Sequence, residues 1–248
     1  MNRSSSPKPL RVRWLGQVPY GDSLALQDSL VRDRRGAKVE DTLLLLEHPP
    51  VVTLGRGADR RHVLLDARQL AASGIELYET GRGGDVTYHG PGQIVGYPIV
   101  ALSGQRRDAH RYLRDLEEAL ILAVADWGVS ASRAPGLTGV WACGRKLAAI
   151  GVRVSTGWIT SHGFALNVTT DLSGFRGIVP CGISGRGVTS MAEILGRAPA
   201  LTDVASCVAV RTARQLGFSA VPSRDPSERL PLPRIPNSRV AALGEVRA

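Results

Sequence analysis

Arg82-Gly83-Gly84-Asp85-Val86-Thr87-Tyr88-His89-Gly90-Pro91-Gly92-Gln93 is the densest signal in the chain. Glycine allows positive φ and lets backbone approach a ligand closely. Arg82 and His89 add polar groups at the two ends. An isolated Gly-Gly pair would read as a tight connection with a surface arginine and a satisfied histidine. Here Gly81, Gly83, Gly84, Gly90 and Gly92 crowd around the apolar piece Val86–Tyr88, and a second one follows at Ile94–Tyr97. The stretch reads as strand, loop, strand, with the glycines forming a binding loop. It lacks the Gly-Lys-Ser/Thr ending of a phosphate-binding P-loop. No long helix opens directly behind it, as a Rossmann fingerprint requires.

Working outward, a helix is expected from Asp22 to Arg34, capped by Asp22 or Ser23. Asp41–Glu47 and Val51–Leu54 are strand-like runs split by Pro49-Pro50. Downstream, Leu113, Leu116, Leu120, Ala123 and Trp127 recur at helical spacing, which predicts a helix over Asp108–Trp127 ending at Gly128. Strands are expected at Val140–Ala142, Leu147–Ser155 and Trp158–Val168, with Thr156-Gly157 as a hairpin turn. Ser190 and Glu193 match a capping box, and Leu201, Val204, Val208 and Leu216 outline a last helix. There is no regular strand–helix alternation. The fold class is α/β of the α+β type, a mixed sheet with flanking helices. Residues 1–9 read as a disordered tail, 10–221 as one folded domain, and 222–248 as a Pro/Arg-rich tail.

The net charge of +9 comes from arginines scattered through every segment, and a basic surface suits an acidic partner. With 5% aromatics and no recognisable nucleic-acid motif, nucleic acid is not the expected partner. No apolar run approaches the roughly 20 residues of a membrane span, and no signal-like stretch follows Lys8. The expectation is a cytoplasmic protein with no membrane partner. Cys143, Cys181 and Cys207 are far apart with no Cys-x-x-Cys pair, so neither a disulfide framework nor a metal site is expected.

Two residues invite a chemical reading. Lys146 opens the apolar run Leu147–Gly151, and Cys181 sits between Pro180 and Gly182, where an irregular turn can present a thiol to a pocket. The bland alternatives are a solvated strand-edge lysine and an inert buried cysteine. A free thiol is mostly protonated at neutral pH, and a neighbouring ammonium favours the thiolate. Such a pair could attack a thioester, protonate the leaving thiol and later take a proton from an attacking amine. Cys143 and Cys207 read as structural.

Five motifs in order resemble the lipoate–protein octanoyltransferase family: Arg82 to Gln93, Gly139-Val140-Trp141, Lys146 to Val152, His162-Gly163-Phe164-Ala165-Leu166-Asn167, and Pro180-Cys181-Gly182. The resemblance covers roughly residues 10–216. It implies a biotin/lipoate protein ligase-like catalytic domain. It also implies transfer of an octanoyl group from acyl carrier protein to a lipoyl-domain lysine, with Cys181 as nucleophile and Lys146 as its acid/base partner. The acceptors would be lipoyl domains of 2-oxoacid dehydrogenase complexes and the glycine cleavage H protein. Substrate-binding residues carried over are Arg82, Gly83, Gly84, Asp85, Val86, Thr87, Tyr88 and His89, then Ala149, Ile150 and Gly151, then His162, Gly163, Phe164 and Ala165. No cofactor and no metal are implied, and a monomer is expected.

Overall fold

The computed structural model describes residues 7–179 and 187–232. Its large mixed sheet has the strand order β11-β1-β2-β6-β10-β9-β8-β7. These strands are β1 (Lys8–Gln17), β2 (Thr42–Glu47), β6 (Gln93–Ile99), β7 (Ser132–Ala134), β8 (Leu137–Ala142), β9 (Arg145–Ser155), β10 (Ile159–Asn167) and β11 (Phe218–Pro222). β1 runs parallel to both β11 and β2, and the remaining pairs are antiparallel. A second, small sheet has the order β4-β3-β5, formed by Val51–Leu54 (β3), Glu76–Glu79 (β4) and Val86–His89 (β5).

Strand alternation covers both faces of the large sheet. Leu43 and Leu45 of β2 and Ile94 of β6 join one core with α3 (Ala109–Ala125) and α5 (Leu201–Gln215). Leu44 and Leu46 of β2, with Val95, Tyr97 and Ile99 of β6, join another with α1 (Tyr20–Arg35) through Leu30 and Val31. The result is a helix–sheet–helix stack, with polar ends left for loops.

The two sheets share a bent ribbon. β2 pairs antiparallel with β6, and β3 pairs antiparallel with β5. The change of sheet falls at Pro49-Pro50 on one strand and at Gly90-Pro91-Gly92 on the other, where proline cannot extend a ladder. Glu47 closes the corner by accepting the Gly92 N–H at 2.6 Å. Gly92 has φ +80°, and a Cβ there would lie 2.6 Å from the Thr169 hydroxyl, so only glycine fits.

Several boundaries differ from expectation. α1 begins at Tyr20, behind Pro19, and Ser23 bonds back to the Tyr20 carbonyl instead of capping. Ser190 caps α4 (Met191–Leu195), but Glu193 turns to Arg145 and Thr189, so the reciprocal half of the box is missing. α2 (Ala67–Ala72) was not anticipated, although Asp66 and Gln69 form a full capping box. β4, β7 and β11 were also missed.

The expected tails are shorter than drawn. β1 starts at Lys8, and residues 223–232 pack on the domain through the Glu228–Arg13 pair at 2.7 Å and buried Leu230. Residues 1–6 and 233–248 lie outside the described residues. Among those described, no helix is long and apolar enough to cross a membrane.

The close approach of β6 and β10 gives a stability test. A Cβ at Gly96 would run into the Phe164 ring. Gly96→Ala is expected to lower unfolding free energy by about 1–3 kcal/mol, the usual cost of overpacking, as read from urea denaturation.

Candidate active site

A cavity of about 500 Å³ opens where the glycine loop meets the centre of the large sheet. Its walls come from Arg82 to Thr87 and His89, from Ala149 to Val152 on β9, and from His162 to Ala165 on β10. Lys146 also faces it. Three segments far apart in sequence therefore meet around one space. Tyr88 is the exception among the expected wall residues: strand alternation turns it to the opposite face, where its ring packs on Phe175 at 5.3 Å. Cys181 lies outside the described residues.

Backbone-to-backbone contacts hold the loop against the strands. Gly83 donates to the Val152 carbonyl at 2.9 Å, and a Cβ at Gly151 would lie 2.7 Å from the Gly83 carbonyl. The 55–57 stretch bonds in turn to Asp85, Arg82 and Gly84. Arg82 is buried, and its guanidinium donates to the Thr53 carbonyl at 2.6 Å and to the Thr53 hydroxyl at 3.0 Å. Its charge is committed inside the wall.

Lys146 is only 7% exposed, against the solvated strand-edge position that its residue type suggests. Its Nζ lies 5.0 Å from the Trp141 ring centroid, a cation–π distance. Its stem passes Gly139, where a Cβ would stand 3.6 Å from Cε and 2.6 Å from the Ala148 carbonyl. Gly139 is fixed from below by fully buried Glu117, which accepts its N–H at 3.0 Å. Arg114 and Arg133 neutralise Glu117 at 2.6 and 2.9 Å, as a buried charge requires.

The main chain of Lys146 ties down one flank of the segment that contains Cys181. Lys146 N–H donates to the Gly187 carbonyl at 2.9 Å, and Thr189 N–H donates to the Lys146 carbonyl at 3.0 Å. On the other flank, Val179 N–H donates to the His62 carbonyl at 2.7 Å. His62 also pairs with Asp85, a cavity residue, at 2.6 Å.

Three histidines crowd one side. His48 and His89 have ring centroids 5.7 Å apart, and Tyr97 stands between His48 and His162. His162 has φ +54° and donates its N–H to Gln27. Its Nδ1 has no hydrogen-bond partner among the described residues. Burial pushes His89 down to about 3, and His48 and His162 to about 4. All three are neutral at pH 7.

The other two cysteines differ. Cys207 is buried, with its thiol 2.9 Å from Asp126, and burial with that carboxylate pushes it up to about 12. That agrees with a structural reading. Cys143 is exposed at a hairpin tip with φ +50° beside Gly144 at +72°, not buried as a structural cysteine would be.

A family model described as the lipoyl protein ligase A/B catalytic domain matches residues 19–212. An octanoyltransferase of Rubrobacter xylanophilus is 55% identical over 183 residues, covering 73% of this chain and 82% of that protein. The chain belongs to the octanoyltransferase family. It is thereby an acyltransferase. An octanoyltransferase of Myxococcus xanthus is 51% identical over 79% of this chain, which spans 56% of that longer protein. Among solved structures, a lipoate-protein ligase A bound with ATP superposes with a TM-score of 0.66 at 18% identity, covering 86% of this chain and 88% of that one. This likeness establishes the shared fold.

Sequence reasoning missed Tyr20, Gly57, Val95, Tyr97, Leu113, Gly136, Leu137, Thr138 and Val152 as cavity residues. Tyr20 precedes the helix expected from Asp22, and Leu113 sits on an apolar helix face that reads only as core. Gly136 to Thr138 belong to the β7–β8 hairpin, marked in the sequence by Pro135-Gly136 alone.

The buried histidines make a pH prediction. Unfolded, each imidazole protonates near 6.5; folded, each stays neutral down to about 4 or lower. The unfolded chain therefore binds more protons below 6.5, and stability is full above that pH and falls between 6.5 and 4. Urea unfolding at about pH 5 is expected to give a lower free energy than at about pH 7.5, by up to roughly 2 kcal/mol per histidine. An unchanged value across that window would contradict neutral burial.

Proposed function

We propose that this chain moves an octanoyl group from acyl carrier protein to the lysine of lipoyl domains, through a thioester on Cys181. The observation that carries the proposal is buried Lys146 facing an acyl-sized cavity, with its main chain bonded to the flank of the Cys181 segment. The acceptors we assign are the lipoyl domains of 2-oxoacid dehydrogenase complexes and the glycine cleavage H protein. The enzyme acts as a monomer in the cytoplasm, without cofactor, metal, nucleic acid or membrane.

In the first half-reaction the Cys181 thiolate attacks the donor thioester carbonyl. A new C–S bond forms, the carrier's thiol leaves, and the Lys146 ammonium protonates it. In the second, the acceptor amine attacks the acyl-cysteine, the C–N bond forms and Cys181 leaves. Lys146, now neutral, takes the proton released by the amine, which restores the starting state. The apolar side chains of Val95, Phe164 and Val152 suit the acyl chain, where each buried CH₂ contributes about 0.8 kcal/mol.

Intact mass after incubation with octanoyl-acyl carrier protein, without ATP, tests the mechanism. One octanoyl adduct is expected on the wild type and none on Cys181→Ser, and an apo lipoyl domain should discharge it. Lys146→Ala should load at least about a hundredfold more slowly, the scale of general acid–base catalysis. An adduct on the serine variant would sink the Cys181 assignment.

Exposed Arg56 and Arg153 adjoin the cavity residues Gly57 and Val152. With the net charge of +9, they favour an acidic donor by long-range attraction. Activity on carrier-bound octanoate is therefore expected to fall several-fold as salt rises from about 50 to about 500 mM. A flat response would remove electrostatic docking from the scheme.

A further inference from the structure

We propose that a one-way chain of hydrogen bonds, running from Arg82 to the main chain of Lys146, sets that lysine in place. Gln93 and Asn167 are then positioning residues for acyl transfer. The inference rests on the role proposed above for Lys146.

The direction of the chain follows from donor and acceptor chemistry. Gln93 Nε2 lies 2.9 Å from Asn167 Oδ1 and 3.2 Å from the Tyr88 carbonyl, both acceptors. Gln93 therefore presents Oε1 to His89 Nδ1 at 2.7 Å, and Nδ1 must carry the proton. That leaves His89 Nε2 as the acceptor facing the Thr53 hydroxyl at 3.4 Å. Thr53 in turn accepts from Arg82, whose guanidinium has donors only. Beyond Gln93, Asn167 Nδ2 donates to the Thr189 carbonyl at 3.0 Å, and Thr189 N–H donates to the Lys146 carbonyl at 3.0 Å.

Every link donates toward Lys146. Thr53, His89, Gln93, Asn167 and Thr189 are all buried, so water does not readily replace a lost partner. Such chains polarise along their length, and a half-satisfied one is costly. Neither amide can flip, because each would then set oxygen against oxygen on one side. The chain joins three sequence motifs: Gln93 ends the glycine segment, Asn167 ends β10, and Lys146 is the second residue of β9. It also holds the Gly187–Thr189 flank against Lys146. Strand packing alone does not require this: β10 is paired through its backbone on both sides, so the Asn167 amide is additional.

The test uses the full chain with two variants of unchanged shape, Asn167→Asp and Gln93→Glu. Asn167→Asp still accepts from Gln93 but turns an oxygen on the Thr189 carbonyl. Gln93→Glu removes the donor that Asn167 needs. Both are expected to lower kcat by about tenfold or more, with KM for the carrier-bound donor within about twofold, and to speed amide hydrogen exchange at Lys146 and Thr189. Asn167→Ser, which leaves room for water, should fall between these and wild type; it serves if the charged variants fail to fold.

Unchanged exchange in folded variants would overturn the chain. Faster exchange with unchanged kcat would overturn its positioning role. Wild-type loading of Cys181 is read in the same assay, so a failed acyl-enzyme mechanism is told apart: exchange needs no acyl chemistry and still decides the chain.

Discussion

Between β2 and β3 the chain carries two prolines, and between β5 and β6 it carries Gly90-Pro91-Gly92. The two strands of one ribbon bend at the same level, and one ribbon serves two sheets. Glu47 pins the bend to the Gly92 N–H. Remove the bend, and β5 no longer projects Thr87 and His89 over the centre of the large sheet, where β9 and β10 supply the opposite wall. The cavity is the gap that this fold in the ribbon opens. Glycines at 83, 151 and 92 keep the neighbouring backbones close enough for the wall to be continuous.

Local patterning carried much of this. The helical spacing of Leu116, Leu120 and Ala123 located α3, and the runs at Asp41–Glu47 and Val51–Leu54 located β2 and β3 almost to the residue. Short elements were lost because their stability is not local. β7 and β11 have few residues and exist through pairing with β8 and β1. The glycine loop could be recognised, and so could the three wall segments implied by the family resemblance. What could not be read was the facing of Tyr88, which depends on strand phase, or the burial of Lys146, which depends on Trp141 and Gly139 lying beside it. Nor could His62 and Asp85 be paired, since 23 residues separate them.

The site handles its charges by commitment. Arg82 donates to Thr53 and to the Gly83 carbonyl, and Glu117 meets two arginines. The imidazoles are held neutral by burial. The exposed arginines lie outside, where long-range attraction acts on a partner and costs the interior nothing.

Cys143 and Gly144 turn the β8–β9 hairpin so tightly that Lys146 stands two residues beyond its tip. Its backbone is bonded on both sides, and its stem lies between Trp141 and Gly139. A free lysine has many rotamers, and ordering one costs up to about 2 kcal/mol. Here that ordering is completed during folding, before any substrate arrives. In the proposed mechanism the barrier to proton transfer would then contain little search by the ammonium, and rate would respond more to the arrival of the two proposed partners than to motion of the lysine.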